Sequence, residues 1–336
     1  MYDPTTNDHF SVEKSDTIWW NQSEPIWITA RRQGIPTSIS FWPGSSVIWP
    51  GNITADYYRP KYDPDIPFET RIDEVVDGFT NKNVRLGMLY YNHPDVEGHY
   101  NGVNSPQVDT SLQQVDWYLS YILETVREKG LHDLNIIVCA DHGMANITNQ
   151  MYLEDYVDMS QVEQVPSYGA VTHVQPKEGQ MWSVLNALIQ GARVTKKYRV
   201  FRKSELPEEF HYVNNVRIMD IIVVGELGTY MSPNKASKYR KTASHGYDPK
   251  YLEMRPIFMA LGPVFKKGGY QVKKTFRTKD IYGIMTYVTG IEPFPNNSTF
   301  SDFEELFDET SSGGGRIVHS HITLIVVLLF NLVIFK

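Results

Sequence analysis

The segment from Asn135 to Met144 constrains the fold more than any other stretch of the chain. An apolar run, Ile-Ile-Val-Cys-Ala, stops abruptly at Asp141 and His142, and a glycine follows at once. This pattern is typical of a buried parallel strand that brings polar side chains to the carboxyl edge of a sheet. Carboxylate and imidazole groups both bind zinc. The simpler interpretation is a buried strand followed by a turn that an aspartate caps.

Two further clusters offer the same kinds of donor. Asp95 and His99 follow the apolar run from Val84 to Tyr91, and because they are four residues apart, one helical turn can direct both at one ion. His245 lies far downstream, in a Ser-His-Gly-Tyr-Asp segment. Each cluster alone also fits a polar loop or a structural histidine. Because zinc takes three or four protein ligands, the clusters together predict two zinc sites, formed by Asp95, His99 and His245 and by Asp141 and His142.

Elsewhere the sequence alternates strand-like apolar runs with segments of helical periodicity. The clearest helix runs from Pro106 to Lys129 and is expected to stop at Gly130. This alternation predicts an α/β fold with a mostly parallel sheet and helices on both faces. Residues 145–240 are interpreted as an irregular insert, in which a helix at Trp182–Ile189 ends before Gly191. The other predicted elements are strands at Pro36–Trp42, Val84–Tyr91, Asn135–Ala140, Arg217–Val224 and Arg255–Leu261, and helices at Phe68–Phe79 and Thr278–Thr289.

Length and charge limit the function classes. The chain has 336 residues, of which 41% are hydrophobic, and this suffices for one large α/β domain or two small ones. The formal net charge of −7 argues against a nucleic-acid polymer as partner. A phosphate ester can still bind where metal ions supply positive charge. The single cysteine, Cys139, is expected to be a buried thiol.

Six motifs follow one another along roughly the first 300 residues. They are Pro25–Thr29, Phe41–Ser45, Pro67–Arg71, Pro94–His99, Ala140–Met144 and His245–Asp248. In this order they resemble the motifs of the ectonucleotide pyrophosphatase/phosphodiesterases, a branch of the alkaline-phosphatase superfamily. The resemblance implies an alkaline-phosphatase-like fold, two zinc ions, and hydrolysis of nucleotide pyrophosphate or phosphodiester bonds. By position, the five donor residues named above resemble zinc ligands of that family.

The resemblance also implies that part of the family's site lies upstream of Met1. In that family the second zinc ion also takes an aspartate from the first strand, and a threonine is the nucleophile. Both precede the Met-Tyr-Asp with which this sequence starts, and Thr5 and Thr6 lie in a polar turn that does not match. We therefore expect residues 1–305 to form a catalytic domain that lacks the first strand and the nucleophile segment. Its second zinc site is then incomplete, and its activity is low or absent.

Aromatic residues near the predicted ligands are candidates for substrate binding. By resemblance, Tyr90 and Tyr62 correspond to residues that sandwich the base in nucleotide-cleaving members, and Trp42 lies in a flanking segment. The alternative is that these rings pack in the core or at its rim. Lysophospholipid-cleaving members share the metal ligands, so a nucleotide, another phosphodiester and a lysophospholipid all stay open as substrates. A catalytically dead binding or adhesion ectodomain, and a phosphate monoesterase or sulfatase, are further alternatives.

The carboxyl-terminal residues predict attachment to a membrane. Residues 306–321 are interpreted as a linker and spacer that includes a run of small residues, and residues 322–335 are almost entirely apolar. Because a spanning helix needs about 20 apolar residues, the pattern favours a GPI-anchor signal over a short membrane span. A final structural helix is the third possibility.

Several asparagines lie in the triplets that accept N-linked glycans. They are Asn21, Asn52, Asn146, Asn296 and Asn297. Such triplets also arise by chance. Taken with the apolar tail, they predict a location on the extracellular face of the plasma membrane.

Overall fold

The computed structural model of the chain describes residues 1–308 and 323–328. Within them the helices are α1 (Ile26–Arg32), α2 (Phe68–Asn81), α3 (Asp95–Asn101), α4 (Pro106–Glu128), α5 (Met181–Thr195) and α6 (Asp280–Thr289). The strands are β1 (Tyr2–Asp3), β2 (Asp8–His9), β3 (Thr37–Ser40), β4 (Tyr57–Tyr58), β5 (Leu86–Tyr91), β6 (Asn135–Cys139), β7 (Ala145–Asn146), β8 (Asn149–Tyr152), β9 (Val162–Ser167), β10 (Val171–Pro176), β11 (Tyr198–Arg202), β12 (Ile221–Gly225), β13 (Thr229–Ser232), β14 (Ala243–Ser244), β15 (Phe258–Leu261) and β16 (Thr323–Leu328).

The main sheet has the strand order β15-β6-β16-β5-β3-β4. All neighbouring pairs are parallel except β15, which runs antiparallel to β6. β16 lies between β5 and β6, with Thr323 opposite Leu86 on one side and Asn135 on the other. The prediction of a mostly parallel sheet is confirmed. Because β5 and β6 run in the same direction, their carboxyl ends meet at one edge of the sheet.

Both faces of the main sheet are covered by helices. On β6, Ile137 and Cys139 pack into a cluster with residues of α1 and α6, whereas Ile136 and Val138 pack into a second cluster with residues of α2 and α4. Successive side chains of a strand point to opposite faces, and a sheet that is covered twice needs apolar residues at every position. This requirement explains the unbroken apolar run in the sequence. It also confirms Cys139 as a buried thiol, and burial raises its pKa to about 12.

The helix α4 shows why its boundaries were visible in the sequence. The Ser105 side chain accepts a hydrogen bond from the Val108 backbone N–H at 3.3 Å, and Pro106 occupies the first turn, where its missing N–H costs nothing. Gly130, with φ of +68°, follows the last turn. The predicted helix is confirmed to within one residue.

The interpretation of residues 145–240 as an irregular insert is wrong. They contain a second, antiparallel sheet with the order β11-β12-β10-β9, against which α5 packs. The predicted stop at Gly191 is also wrong, because α5 continues to Thr195. A Cβ atom at Gly191 would lie 2.2 Å from the Tyr198 hydroxyl oxygen and 2.6 Å from the Tyr156 ring. Gly191 therefore permits close packing of the helix and does not end it.

The predicted linker and tail are only partly described. Leu306 and Phe307 are buried in the core cluster of α1 and α6, so the folded body includes them. Residues 309–322 and 329–335 lie outside the described residues, whereas Thr323–Leu328 forms β16. In the described part of the chain, no helix is both long enough and apolar enough to cross a bilayer. The membrane-anchor interpretation of the tail stays a prediction.

His173 on β10 predicts a pH-dependent stability. Its side chain is 2% exposed, its Nε2 lies 3.0 Å from the Tyr212 hydroxyl oxygen, and burial lowers its pKa to about 4. Between about pH 4 and 6.5 the unfolded chain binds a proton here that the folded chain does not, so stability falls as the pH falls through this range.

We expect this residue to contribute a loss of about 2 kcal/mol in the free energy of unfolding between pH 7 and pH 5. His173→Phe keeps a ring but cannot titrate, so its unfolding should be less sensitive to pH than that of the wild type. Urea titrations of both proteins at the two pH values measure the difference. Equal pH sensitivity of the two proteins would contradict this account.

Candidate metal centre

Three segments deliver the five predicted ligands to one edge of the main sheet. Asp95 begins α3 shortly after β5 ends, and Asp141 and His142 follow β6. His245 follows β14, which pairs with β7 so that Ala243 lies opposite Asn146. Since β7 begins three residues after His142, this pairing holds the segments of His142 and His245 side by side.

The five ligand candidates lie close together, and their roles as metal ligands stay a prediction. His99 Nε2 and His245 Nε2 lie 3.5 and 3.8 Å from the two carboxylate oxygens of Asp95. His142 Nε2 lies 3.2 Å from Asp141 Oδ2, and the His142 and His245 rings stack with their centroids 3.6 Å apart. One donor atom each from Asp95, His142 and His245 fits within 4.8 Å of the others. This trio combines members of both predicted sites, and the division of the ligands between two ions stays a prediction.

Backbone carbonyls fix the orientation of two histidines of the cluster. His99 Nδ1 lies 2.9 Å from the Ala243 carbonyl oxygen, and His142 Nδ1 lies 3.0 Å from the Gly143 carbonyl oxygen. A carbonyl can only accept, so each ring that donates in this contact carries a proton on Nδ1. Once Nε2, which faces the carboxylates of the cluster, gives up its own proton, its lone pair is free for a metal ion. Metal-binding histidines commonly have this arrangement, in which the second nitrogen donates to a carbonyl or a carboxylate.

The charge state of the cluster also suits a cation. Burial, and then the neighbouring imidazoles of His142 and His99, lower the pKa of His245 to about 3, so this ring is neutral at pH 7. Burial acts to lower the pKa of His142, but the hydrogen bond and negative charge of Asp141 outweigh it and raise that pKa above its ordinary value. Zinc displaces such a proton when it binds, because it requires the neutral imidazole. The donor set of two carboxylates and three imidazoles fits zinc.

Gly143 fixes the path of the chain beside His142. Its N–H donates to the Met254 carbonyl at 3.0 Å, and a Cβ atom here would lie 1.8 Å from the Glu253 carbonyl oxygen. No larger residue fits without moving one of the two backbone segments. The glycine directly after the Asp-His pair is thus a requirement of close packing, and it places the carbonyl that orients His142.

The aromatic candidates differ in their relation to the cluster. Burial, with the nearby carboxylates of Asp141 and Asp95 and the Tyr62 hydroxyl, raises the pKa of Tyr90 well above its ordinary value. Tyr90 thus lies beside Asp95 and Asp141 and near Tyr62. The Tyr62 ring is 41% exposed and lies edge-on to the Phe41 ring, with their centroids 5.1 Å apart. Trp42 packs against the core cluster under the sheet. The substrate-binding roles of all three stay predictions.

The glycosylation candidates Asn21, Asn52, Asn146, Asn296 and Asn297 are all exposed. Asn146 lies in β7, close to the metal centre, and its side-chain oxygen accepts from the Val103 N–H at 3.0 Å. Exposure is necessary for modification but does not establish it, so these sites stay predictions.

Two residues support the cluster in ways that the sequence did not predict, Tyr239 and Asp248, the last residue of the His245–Asp248 motif. The Tyr239 hydroxyl oxygen lies 3.1 Å from His99 Nδ1. The chain has 21 tyrosines, and no sequence pattern distinguishes Tyr239 from the others. Asp248 accepts from Arg199 Nη2 at 2.5 Å and from the Lys250 N–H at 2.9 Å. The Arg199 contact ties the loop that carries His245 to the second sheet.

Comparison with known proteins agrees with this geometry. The sequence model of type I phosphodiesterase / nucleotide pyrophosphatase matches residues 1–248. The chain belongs to this family. Ectonucleotide pyrophosphatase/phosphodiesterase family member 5 of Homo sapiens is 31% identical over 318 residues, which are 92% of this chain and 64% of that protein. Bis(5'-adenosyl)-triphosphatase enpp4 of Mus musculus is 35% identical over 309 residues, which are 90% of this chain and 65% of that protein.

Family structures share the fold. Murine ectonucleotide pyrophosphatase/phosphodiesterase 5 superposes with a TM-score of 0.85 at 32% identity, covering 92% of this chain and 82% of that one. An inactive variant of the same murine protein, solved in complex with AMP, superposes equally well. The alkaline-phosphatase-like α/β fold predicted from the motifs is confirmed. The chain spans slightly less than two thirds of the length of the curated relatives described above.

The close approach at Gly143 predicts that metal binding depends on a residue that is no ligand. In Gly143→Ala the new Cβ must push the chain away from Glu253, which displaces His142. We expect zinc affinity to fall by about tenfold or more, a loss of the size seen when groups that orient metal ligands are removed. Competition with a chromophoric chelator measures it. Gly130→Ala, which is strained at φ of +68° but meets open space, is the control. Equal zinc affinity of Gly143→Ala and the control would refute the prediction.

Proposed function

We propose that this chain carries the metal centre of a zinc-dependent hydrolase that cleaves pyrophosphate or phosphodiester bonds of nucleotides. The observation that carries the proposal is the convergence of Asp95, His142 and His245, from three separate segments, within 4.8 Å of one another. His99 and Asp141 lie directly beside them. Membership of the phosphodiesterase family supports the same reaction class.

The chain's own residues would prepare the site for zinc. Asp95, His99 and His245 would hold one ion, and Asp141 and His142 would supply two ligands to a second. Bound zinc supplies positive charge that polarises a phosphoryl oxygen and favours a deprotonated nucleophile. The carbonyls of Ala243 and Gly143 keep the Nδ1 protons of His99 and His142 in place.

The substrate is proposed to be a nucleotide. The position of Tyr90 beside the cluster, with Tyr62 nearby, supports stacking of a base next to the bound phosphate. The AMP complex of the murine relative and the name bis(5'-adenosyl)-triphosphatase of another relative support the same class. A lysophospholipid has no planar ring for these tyrosines to stack on.

The 336-residue polypeptide by itself is proposed to turn over slowly. The resemblance implies a threonine nucleophile that has no counterpart in this sequence. Thr5 is engaged elsewhere, because its hydroxyl donates to Asp3 Oδ1 at 2.6 Å and the other oxygen of Asp3 accepts from Arg217 Nε at 2.7 Å. Metal and nucleotide binding are therefore sharper tests of the centre than turnover.

Replacing His245 tests the proposed centre. We expect the purified wild-type chain to retain about one zinc ion tightly, to bind AMP only when zinc is present, and to hydrolyse a nitrophenyl ester of thymidine monophosphate slowly. His245→Ala should lose zinc and AMP binding together, because it removes a ligand of the cluster. Zinc content by mass spectrometry and AMP affinity by calorimetry are the measurements.

The matched control is His132→Ala, which removes an exposed histidine that follows α4. It should behave like the wild type. AMP binding that survives in His245→Ala would refute the proposed function. Rapid turnover that depends on His245 but on none of the threonines would refute the low activity alone and leave the metal centre standing.

The protein is proposed to act at the extracellular face of the plasma membrane. The exposure of all five acceptor asparagines and the apolar tail support this location. The tail has two uses that exclude each other. A segment paired in the sheet as β16 cannot also be removed with a GPI signal or lie in a bilayer.

Treatment of expressing cells with phosphatidylinositol-specific phospholipase C separates these uses. If the tail is an anchor signal, the protein is released, and peptides from residues 316–336 are absent from its mass-spectrometric map. This is the outcome we expect from the sequence pattern. Retention after treatment, with peptides covering residues 323–328 present, would contradict the anchor signal.

A further inference from the structure

A cavity of about 190 Å³ lies between the second sheet and the loop that follows His245. The two faces of that sheet are covered differently. On β12, alternate residues pack with α5, whereas Ile222 and Val224 point to the opposite face and line the cavity. Residues 246–249 of the loop form another part of its wall. We name this cavity the loop pocket.

The loop pocket is separate from the metal centre. Its lining includes none of the five zinc-ligand candidates, and neither Tyr90 nor Tyr62. The His245 ring stacks on the His142 ring, with their centroids 3.6 Å apart, and so belongs to the metal centre. The four residues that follow His245 line the loop pocket instead. The loop therefore begins with a metal-ligand candidate and continues directly as the wall of a cavity.

The interior of the loop pocket suits a compact apolar group. Aliphatic side chains of the second sheet line it, together with the rings of Phe210, Tyr212 and Tyr247. The Tyr212 hydroxyl is already engaged, since its oxygen lies 3.0 Å from His173 Nε2. An engineered apolar cavity of about 150 Å³ binds benzene. A cavity of about 190 Å³ therefore has room for one ring with a short substituent.

The charge of the loop pocket favours a cation. Among the described residues that line it, none is cationic and two are acidic, Glu209 and Asp248. Asp248 is neutralised, because its Oδ2 accepts from Arg199 Nη2 at 2.5 Å and lies 3.5 Å from Lys250 Nζ. Glu209 is exposed at the mouth and forms no ion pair within residues 1–308. The electron-rich faces of aromatic rings also attract a positive charge.

We propose that the loop pocket binds a small organic amine, a second ligand of the protein that is not its substrate. The apolar body of the amine packs against Ile222 and Val224. Its ammonium group lies at the mouth, where the Glu209 carboxylate accepts a hydrogen bond from it. A carboxylate ligand would be repelled by Glu209, and a neutral ligand would gain nothing from its charge.

The bound amine also steadies the loop that carries His245. The ion pair of Asp248 with Arg199 holds this loop on one side, while residues 246–249 border the cavity. Groups that line a void lack packing contacts on that side, so a ligand that fills it stabilises this conformation of the loop. Because the same conformation places His245 in the metal centre, the amine and zinc should each raise the affinity of the other by the same factor. This second part of the inference rests on the proposed function.

Two probes of nearly the same shape test the charge preference of the full chain. They are benzylamine, which is protonated at pH 7, and benzyl alcohol, which is neutral. We expect the wild type to bind benzylamine at least about fivefold more tightly, because the carboxylate at the mouth and the aromatic rings both favour the cation. Titrations of the purified chain followed by nuclear magnetic resonance measure both affinities.

Glu209→Gln should remove most of this preference and leave the affinity for benzyl alcohol unchanged. The matched control, Glu208→Gln, removes the same charge from the neighbouring exposed position, which does not line the pocket, and should keep the preference. Val171→Phe fills the pocket from the half-buried first residue of β10 and should weaken the binding of both probes. The proposal is overturned if the wild type shows no preference, if the preference survives in Glu209→Gln, or if Val171→Phe binds both probes undiminished.

A separate measurement tests the link to the metal centre. Saturating benzylamine should raise the zinc affinity of the wild type about fivefold or more, as is typical of two coupled sites, in competition with a chromophoric chelator. The same concentration should leave the zinc affinity of Val171→Phe unchanged. A wild-type zinc affinity that does not respond to benzylamine would overturn the coupling. Failure of the proposed function gives a different result, since tight zinc binding would then be absent while the preference for benzylamine persists.

Discussion

The parallel direction of β5 and β6 is the constraint on which the candidate site depends. Because the two strands run the same way, Asp95 and the Asp141–His142 pair leave the sheet at the same edge. If either strand ran in the opposite direction, its polar residues would leave the sheet at the other end of the strands, about one strand length away from those of its neighbour. The short pairing of β14 with β7 then adds His245 to this edge, although it lies a hundred residues further along the sequence.

Backbone groups set the chemistry of the cluster as much as the side chains do. The carbonyls of Ala243 and Gly143 determine which nitrogen of His99 and of His142 keeps its proton. The same Gly143 lies so close to Glu253 that its lack of a side chain fixes the path of the loop. A sequence that kept all five donors but altered these backbone contacts would retain the ligands and lose their orientation.

The sequence correctly predicted those helices and strands whose residue pattern fits only one kind of structure. The apolar run of β6 and the capped helix α4 were placed correctly because double burial and capping leave clear signals. Of the four strands of the second sheet, only the fully buried Ile221–Gly225 was recognised, within the predicted strand Arg217–Val224. Strands such as Val162–Ser167 were missed because they mix polar and apolar residues without a regular pattern, and only Val162 is buried there. Gly191 was misjudged because a glycine that permits close packing looks the same in sequence as one that ends a helix.

The residues of the candidate site also divide into those with a clear sequence signal and those without one. The five metal-ligand candidates were found because their residue types are chemically specific and because each follows or precedes a recognisable segment. Tyr239 was not found, because tyrosine is common and only the three-dimensional arrangement brings it to His99. The apolar tail was ambiguous for a physical reason, since a strand buried on both sides and a lipid-facing segment both require apolar residues throughout.

Where residues 323–328 stay in the sheet as β16 and are not removed with an anchor signal, the place of this strand has a consequence for how the chain folds. β5 and β6 have been synthesised once the ribosome has passed Cys139, but the strand that joins them begins only at Thr323. Until then each of the two strands presents an unpaired edge, which is a template for association with other chains. Sheets whose pairing partners are so distant in sequence form slowly. The two halves of this sheet therefore have to wait, in a state prone to aggregation, for a segment that is made near the end of translation of these residues.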